Sequence, residues 1–263
     1  MYISRYLFFS TFLIFFLAPN CAPIYKPSSQ ETFSAPTIKT IISRIQEQDK
    51  KVSSFYTIGR IWIKDWGWES ESNILIVGTK SPFKIKIEIT HPWGRPIMHI
   101  LIDNMSLKVL SFTENRLYLG TITPETLSRF FPGDFSPDLI WTVLRGYPHL
   151  IRHHRIASLR ANQISLFNWK EKEVEIIDFY PENRFPQRAS FPERHLNVAF
   201  LRFQEDSGIY YAREVRVNSM KGRRRLLLKN RNMVFNKPIP EQIFILEKPP
   251  KFETVNLDTA PHD

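Results

Sequence analysis

The alternation of apolar and polar residues is clearest over residues 83–89, FKIKIEI. In an extended chain, one side of this segment carries Phe83, Ile85, Ile87 and Ile89. The two lysines and the glutamate between them point to the other side. A period of two predicts a β-strand with one buried face and one solvated face.

Residues 91–96, HPWGRP, interrupt this pattern. Two prolines and a glycine do not fit a regular strand, so the sequence predicts a loop here. The loop is centred on Pro92, Trp93 and Gly94, and its middle residue is large and apolar. Strands are predicted to resume in IMHILID, LKVLSF and NRLYLG, which ends at Gly120.

Two short helices are predicted to follow these strands. In TITPETLSRFF, Thr123 is a suitable N-cap and Pro124 a suitable first helical residue. In SPDLIWTVLRG, Ser136 precedes the helix and Gly146 ends it.

A longer amphipathic helix is predicted near the amino terminus, with Thr37 as its N-cap and a stripe of isoleucines over residues 38–45. After Gly146, strand patterns recur, and EVEIIDFY is predicted to expose Glu173 and Glu175. The other strand candidates in this half are QISLFNW, RFPQRASF, LNVAFLRF, IYYAREVRVN, RRLLLKN and NMVFN.

These elements predict an α+β fold. Short connections favour antiparallel neighbours, and a sheet with ten or more strands curls rather than staying flat. The amino-terminal amphipathic helix is expected to pack on this curled sheet. The two short helices are expected as a lid on its concave side.

The amino terminus has the pattern of a secretory signal over residues 1–20. Arg5 precedes a dozen mostly apolar residues, fewer than the roughly 20 needed to span a bilayer as a helix. Cys21, the only cysteine, follows directly and is similar to the lipidated residue of bacterial lipoproteins. The alternative is an ordinary signal peptide or an uncleaved anchor. Residues 21–36 are rich in proline and serine and predict a flexible tether.

The chain is basic, with a net charge of +10 and an isoelectric point of about 9.7. Such a charge suits nucleic acid, anionic lipid head groups or acidic glycans. The basic run at 221–225, KGRRR, has no accompanying motif of stacking aromatic residues, so nucleic acid is not expected as a partner. Lipid head groups or a solvated hairpin turn remain as interpretations of this run.

No motif for catalysis is present. The sequence has no G-x-S-x-G elbow, no phosphate-binding loop and no H-E-x-x-H helix. His153 and His154 are adjacent, so their side chains diverge on a strand or a helix and do not predict a metal site. A single cysteine also excludes an intrachain disulfide. The sequence therefore predicts a protein with no catalytic residues, no metal and no cofactor.

The order of strand, tryptophan turn, strands and helix pair resembles the LolB-like family of outer-membrane lipoprotein receptors and their LolA-like relatives. The family's N-P-apolar-G turn corresponds to His91-Pro92-Trp93-Gly94, and its L-x-G helix end to Leu144-Arg145-Gly146. The resemblance implies an open half-barrel with a helical lid. We expect it to cover residues 37–250, followed by a loose tail over 251–263.

The resemblance also implies a function. A lipoprotein anchored through Cys21 would bind acyl chains or lipoproteins in an apolar cavity and help to deliver or insert them at the outer membrane, facing the periplasm. A periplasmic carrier protein is a candidate partner. Ala22 in place of aspartate after the cysteine favours the outer membrane. The loop of Pro92, Trp93 and Gly94 would enter the membrane; alternatively, Trp93 folds back onto the sheet.

The candidate cavity residues share an apolar side chain on a predicted strand or lid helix. They are Ile85, Ile87, Leu107, Val109, Leu117, Leu127, Phe130, Leu139 and Leu144. Each could instead belong to an ordinary core. The second functional hypothesis is a structural or assembly lipoprotein of the same fold, which acts through protein contacts in an envelope complex.

Overall fold

A computed structural model describes residues 32–65, 68–131, 133–219 and 224–259. Cys21, the predicted signal and most of the predicted tether lie outside these residues, as do positions 221–223 of the basic run. The helices within the described ranges are α1 (Ala35–Lys50), α2 (Pro124–Ser128) and α3 (Pro137–Arg145).

The strands within the same ranges alternate with short connections, except where α2 and α3 intervene and where residues 236–252 join β13 to β14. They are β1 (Ser54–Asp65), β2 (Trp68–Lys80), β3 (Phe83–Thr90), β4 (Pro96–Asp103), β5 (Ser106–Ser111), β6 (Arg116–Thr121), β7 (Arg155–Ala157), β8 (Gln163–Phe167), β9 (Glu173–Phe179), β10 (Pro186–Phe191), β11 (Leu196–Asp206), β12 (Ile209–Ser219), β13 (Arg225–Phe235) and β14 (Glu253–Asn256).

All 14 strands belong to one sheet, in the order β14-β6-β5-β4-β3-β2-β1-β13-β12-β11-β10-β9-β8-β7. Every pairing is antiparallel except that of β14 with β6, which is parallel. The two edge strands, β14 and β7, do not pair with each other, so the curled sheet stays open. The predicted α+β fold with a curled antiparallel sheet is confirmed.

The three helices cover one face of this sheet. Ile41 and Ile45 of α1 join the same buried cluster as the inward side chains of the strands. Trp141 of α3 packs edge-on against Phe55 of β1, with ring centres 5.1 Å apart. Helices and concave face therefore share a single hydrophobic core.

The carboxyl-terminal segment covers part of the opposite face. Phe244 packs there with Val77 and Leu101 in a second, smaller apolar cluster. Glu241 accepts a hydrogen bond from Lys84 of β3 at 2.8 Å. After β13, the chain thus crosses the back of the sheet on its way to the far edge.

Residues 253–256 belong to the segment predicted as a loose tail, but they form β14 along β6. The amide of Leu257 donates a hydrogen bond to the Leu119 carbonyl at 2.7 Å, and the Leu257 side chain is buried. The edge of β6 offers unpaired backbone groups that an extended segment satisfies. This partner is far away in the chain, so local sequence patterns do not indicate it.

Two element boundaries also differ from the predicted ones. Helix α1 begins at Ala35 after Ser34, not after Thr37, because Pro36 is accommodated in the first turn. The segments RRLLLKN and NMVFN form one strand, β13, which pairs with β1 along its whole length. The register shifts where Ile58 pairs with Asn232 and Gly59 with Asn230, so the extra residue of the bulge, Arg231, lies in β13.

A buried polar group ties the end of α1 to the sheet. The Asp49 carboxylate accepts hydrogen bonds from Lys80 Nζ at 2.6 Å, and it lies 3.2 Å from His149 Nδ1. Burial opposes ionisation of Asp49, but the bonds from His149 and Lys80 outweigh it and lower its pKa to about 2. The same contact raises the pKa of His149. Helix α1 is thereby fixed both to β2 and to the segment that follows α3.

Glu175 in β9 was predicted to be exposed, and this is wrong. Its side chain is fully buried, because it lies opposite Leu166 on the face that forms the core. One carboxylate oxygen accepts a hydrogen bond from the Ile151 amide at 3.1 Å. Burial raises the pKa of Glu175 to about 8, against the opposing effects of that bond and of the charge on His149.

Gly146 ends α3, as predicted, in the left-handed conformation with φ of 72°. Its carbonyl accepts a hydrogen bond from the Ala212 amide at 2.7 Å, which fixes the end of α3 to β12. A Cβ atom at this position would lie 2.7 Å from the Ala212 carbonyl oxygen.

We expect Gly146→Ala to lower the free energy of unfolding by roughly 1–3 kcal/mol, because it combines left-handed backbone strain with a backbone clash. Gly94→Ala is the matched control, since Gly94 also has a positive φ, of 89°, but no atom within 4 Å of a built Cβ. Urea unfolding should show the larger loss for Gly146→Ala. Equal losses would contradict the close packing of α3 against β12.

Glu175→Gln should change how stability depends on pH. The folded pKa of about 8 lies above the ordinary value of 4.5, so the folded chain holds a proton that the unfolded chain releases. Below pH 4.5 both states are protonated, and stability then falls as the pH rises towards 8.

Glutamine cannot ionise, so the melting temperature of Glu175→Gln should exceed that of the wild type by more at about pH 8.5 than at about pH 5. Glu173→Gln, two residues earlier on the same strand but partly exposed, makes the same charge change. A pH-independent difference for Glu175→Gln would contradict the burial of a carboxyl group.

Candidate functional site

An apolar cavity lies between the concave face of the sheet and the lid, which we define as residues 124–145. Every side chain that lines it is an isoleucine, leucine, valine or phenylalanine. These residues are Ile61, Ile63, Ile74, Ile87, Ile89, Ile100, Phe130, Phe131, Phe135, Ile140, Val143, Leu144, Leu226 and Leu228. Such a lining offers no hydrogen bonds, so it can select a ligand only by shape and hydrophobicity.

The cavity is narrow. Only about 40 Å³ of it can hold the centre of a water molecule, which is space for roughly three waters. Three phenylalanines from the connection between α2 and α3 take up much of the space: Phe130, Phe131 and Phe135. A larger apolar ligand can enter only if these rings move away from the sheet.

The lid is fixed at its two ends. At its start, the Thr126 hydroxyl donates a hydrogen bond to the Thr121 carbonyl of β6 at 2.7 Å. At its end, Arg145 donates to the Gln48 carbonyl of α1, and Gly146 bonds to Ala212. The middle of the lid contacts the sheet through aromatic packing, such as that of Phe130 on Tyr118 with ring centres 5.5 Å apart. The middle also accepts a hydrogen bond at the Asp134 carbonyl from Arg194, at 3.2 Å.

The cavity lies towards the end of the sheet that carries the β3–β4 turn. Ile89 of β3 lies four residues before Trp93, and Ile63 and Leu226 are paired neighbours near the adjacent ends of β1 and β13. Ligands leaving the cavity in this direction would pass the tryptophan turn.

Trp93 lies at the tip of the β3–β4 turn and is 75% exposed. The turn is well ordered: the Gly94 amide donates to the His91 carbonyl at 2.8 Å, and the Asn73 side chain donates to the carbonyls of His91 and Pro92. The indole stacks flat on the His91 ring, with centres 5.0 Å apart. Trp93 therefore does not fold back onto the sheet.

The predicted cavity residues divide into three groups. Ile87, Phe130 and Leu144 line the cavity. Those in the surrounding concave core, but not in the cavity wall, are Ile85, Leu107, Val109, Leu127 and Leu139.

Leu117 is the third case, and its predicted inward position is wrong. It pairs directly with Leu110, whereas Val109 pairs with Tyr118, so Tyr118 is the inward residue. Leu117 is buried on the other face of the sheet, outside the concave core. The segment NRLYLG is apolar at consecutive positions, and its alternation therefore does not identify the inward face.

Most of the cavity wall was not singled out from the sequence. Ile61 and Ile63 of β1, Ile74 of β2, and Leu226 and Leu228 of β13 belong to it. The strand alternation of FYTIGRIWIK contains the signal, but only the pairing of β13 with β1 brings Leu226 and Leu228 to this place.

Polar chemistry is sparse around this cavity. The described ranges contain no group of three or more histidine, cysteine, aspartate or glutamate side chains that could hold a metal ion. His153 makes a 2.8 Å contact with the Ile151 carbonyl, and His154 stacks on Trp169 instead. None of the helices in these ranges combines the length and apolar character that crossing a bilayer requires.

No protein-family model matches the sequence, and no curated protein matches it significantly. Several solved structures share the fold. A DUF1329 family protein from Desulfovibrio piger has a TM-score of 0.55 at 13% identity, over 78% of this chain and 95% of that one. A LolA superfamily protein from Nitrosomonas europaea has a TM-score of 0.51 at 16% identity, over 78% of this chain and 97% of that one.

A third structure, a putative outer membrane lipoprotein-sorting protein domain from Vibrio parahaemolyticus, has a TM-score of 0.54 at 9% identity, over 78% of this chain and 94% of that one. These identities are too low to transfer a function, but the shared architecture extends over nearly the whole of each relative. The chain therefore has the fold found in the LolA superfamily.

Proposed function

We propose that this protein is a carrier that holds an acyl chain, free or as part of a lipoprotein, between the sheet and the lid. The observation that supports this most is the cavity wall, which has 14 apolar residues and no polar one. Two of the structures with this fold are described as a LolA superfamily protein and a lipoprotein-sorting domain.

Binding in such a site is passive. Each buried methylene contributes about 0.8 kcal/mol, so a long acyl chain can offset the cost of displacing the phenylalanines of the lid. The lid rings would then pack on the chain instead of on the sheet. No catalytic group is required, and we propose that the protein is not an enzyme.

Trp93 is proposed to touch the membrane during delivery. Tryptophan is favoured at the bilayer interface because its ring is apolar while its N–H remains hydrated. The ordered turn of Pro92, Trp93 and Gly94 presents this ring beside the end of the sheet to which the cavity is nearest. Cargo released from the cavity would thus enter the membrane with little exposure to water.

Lipidation at Cys21 is proposed to hold the protein at the outer membrane, facing the periplasm. In this role it would be similar to the LolB-like receptors that the sequence resembles, with a periplasmic carrier protein as its candidate partner. The tether at 21–36 would give the folded part freedom to meet such a partner.

Lipid uptake tests the proposal directly. The protein without residues 1–20, and with Cys21 replaced by serine, is delipidated, exposed to phospholipids and fatty acids, and measured by native mass spectrometry. A bound acyl lipid supports the carrier. A protein that takes up no lipid but is crosslinked to an envelope protein in cells would favour the assembly role.

Ile100→Phe should weaken acyl-chain binding about tenfold, because the larger side chain would occupy the narrow space, about 40 Å³, that the ligand must enter. Leu101→Phe is the matched control: Leu101 is the next residue of β4 but is buried on the opposite face. Titration with a fluorescent fatty acid measures the effect, and melting temperatures show whether both variants are folded. Equal weakening by the two variants would place the ligand elsewhere.

Trp93→Glu should leave the melting temperature unchanged, since the side chain is exposed, but should abolish cargo transfer to liposomes. Met105→Glu serves as the control because Met105 is also exposed, at 59%, in the turn after β4 at the other end of the sheet. Fatty-acid uptake in solution should be normal in both variants. Normal transfer by Trp93→Glu would refute the insertion role of this turn.

A further inference from the structure

We infer that the turn carrying Trp169 is a second membrane anchor, which acts together with the Trp93 turn to dock the end of the sheet on an anionic phospholipid surface. This rests on the proposed function in that both turns serve delivery to a membrane. It adds a contact in the second half of the chain, which the resemblance in the sequence does not include.

Strand directions place the two turns on the same rim of the sheet. Eight antiparallel pairings separate β3 from β8 in the sheet order. An even number of reversals makes β3 and β8 run in the same direction. The turns that follow them, with Trp93 and Trp169, therefore lie on one rim, which we call the tryptophan rim.

Trp169 has the same local setting as Trp93. It is 74% exposed, and its indole stacks on a histidine, His154, with ring centres 3.6 Å apart. The Asn168 side chain accepts hydrogen bonds from the amides of Lys170 and Lys172 at 2.9 and 3.1 Å. A turn that is ordered in advance loses little entropy when its tip enters an interface.

The charges around Trp169 suit anionic head groups. Glu171 is paired with Arg155, whose Nε lies 2.9 Å from the carboxylate. Lys170 and Lys172 are exposed and make no ion pair within the described part of the chain. Basic residues next to an anionic surface add to the attraction of a neighbouring interfacial tryptophan.

Within the described ranges, the opposite rim carries no exposed tryptophan. Its exposed apolar residues are Met105 and Leu159, which follow β4 and β7. The turn between β11 and β12 on that rim carries the exposed acids Glu205 and Asp206.

Exposed charges of the other sign also occur on each rim, with Glu114 and Glu193 on the tryptophan rim and Arg160 and Arg184 on the opposite one. The preference for the tryptophan rim therefore rests on its two exposed indoles and on the lysines beside Trp169.

Two separated contacts would also control orientation. One anchor leaves the sheet free to rotate about it, whereas two anchors on one rim hold that rim against the bilayer. The second contact is then made at a high effective concentration, so the pair binds more tightly than either turn alone. The cavity, which lies towards this rim beside β3, would face the membrane.

Vesicle binding by the folded protein without residues 1–20, with Cys21 replaced by serine, tests this inference. Flotation with vesicles of phosphatidylethanolamine and phosphatidylglycerol compares the wild type with Trp93→Glu, Trp169→Glu and the double variant. We expect each single change to weaken binding roughly tenfold and the double change to weaken it by more than either. Leu159→Glu, at an apolar residue with 59% exposure on the opposite rim, should bind like the wild type.

The outcomes separate the two hypotheses. Normal binding by Trp169→Glu together with loss by Trp93→Glu would overturn the second anchor but leave the delivery role of Trp93 intact. Equal loss by Leu159→Glu would show that any exposed apolar residue contributes, and would overturn the docking rim. Fatty-acid uptake without vesicles, measured on the same variants, reports on the carrier function alone. Melting temperatures confirm that each variant is folded.

Discussion

The structure depends on covering one apolar face of a sheet that never closes. An open sheet of 14 strands cannot bury its concave side against itself, so other elements must shield it from water. The three helices of the described ranges do this unevenly. Helix α1 and the end of α3 are fixed by buried or partly buried hydrogen bonds. The middle of the lid is held by aromatic packing and by a hydrogen bond from Arg194 to the Asp134 carbonyl.

The apolar cavity lies beneath this lid, between the lid and the concave face of the sheet. Three of the six lid residues that line the cavity are phenylalanines, whose rings can exchange one apolar contact for another at small cost. Polar contacts hold the lid near Thr126 and Gly146 at its ends and at the Asp134 carbonyl in its middle.

Local sequence patterns were sufficient to predict the strand β3, the turn of Trp93 and the glycine that ends α3. Each of these depends on residues within a few positions of one another. The inward side of β6, the burial of Glu175 and the strand β14 could not be predicted in this way. Each is decided by a partner distant in the chain: Leu110 opposite Leu117, Leu166 opposite Glu175, and β6 beside β14.

The same limit applies to the cavity, because strand pairing rather than the local sequence pattern determines which residues form its wall. Val109 and Ile87 look equivalent in the sequence, each an inward apolar residue of a predicted strand, but only Ile87 faces the gap under the lid. The difference arises from where the phenylalanines of the lid end. The tryptophan rim also depends on strand pairing, but over a larger part of the chain. Trp93 and Trp169 are far apart in the sequence, and the number of strand reversals between them decides that both can face one membrane.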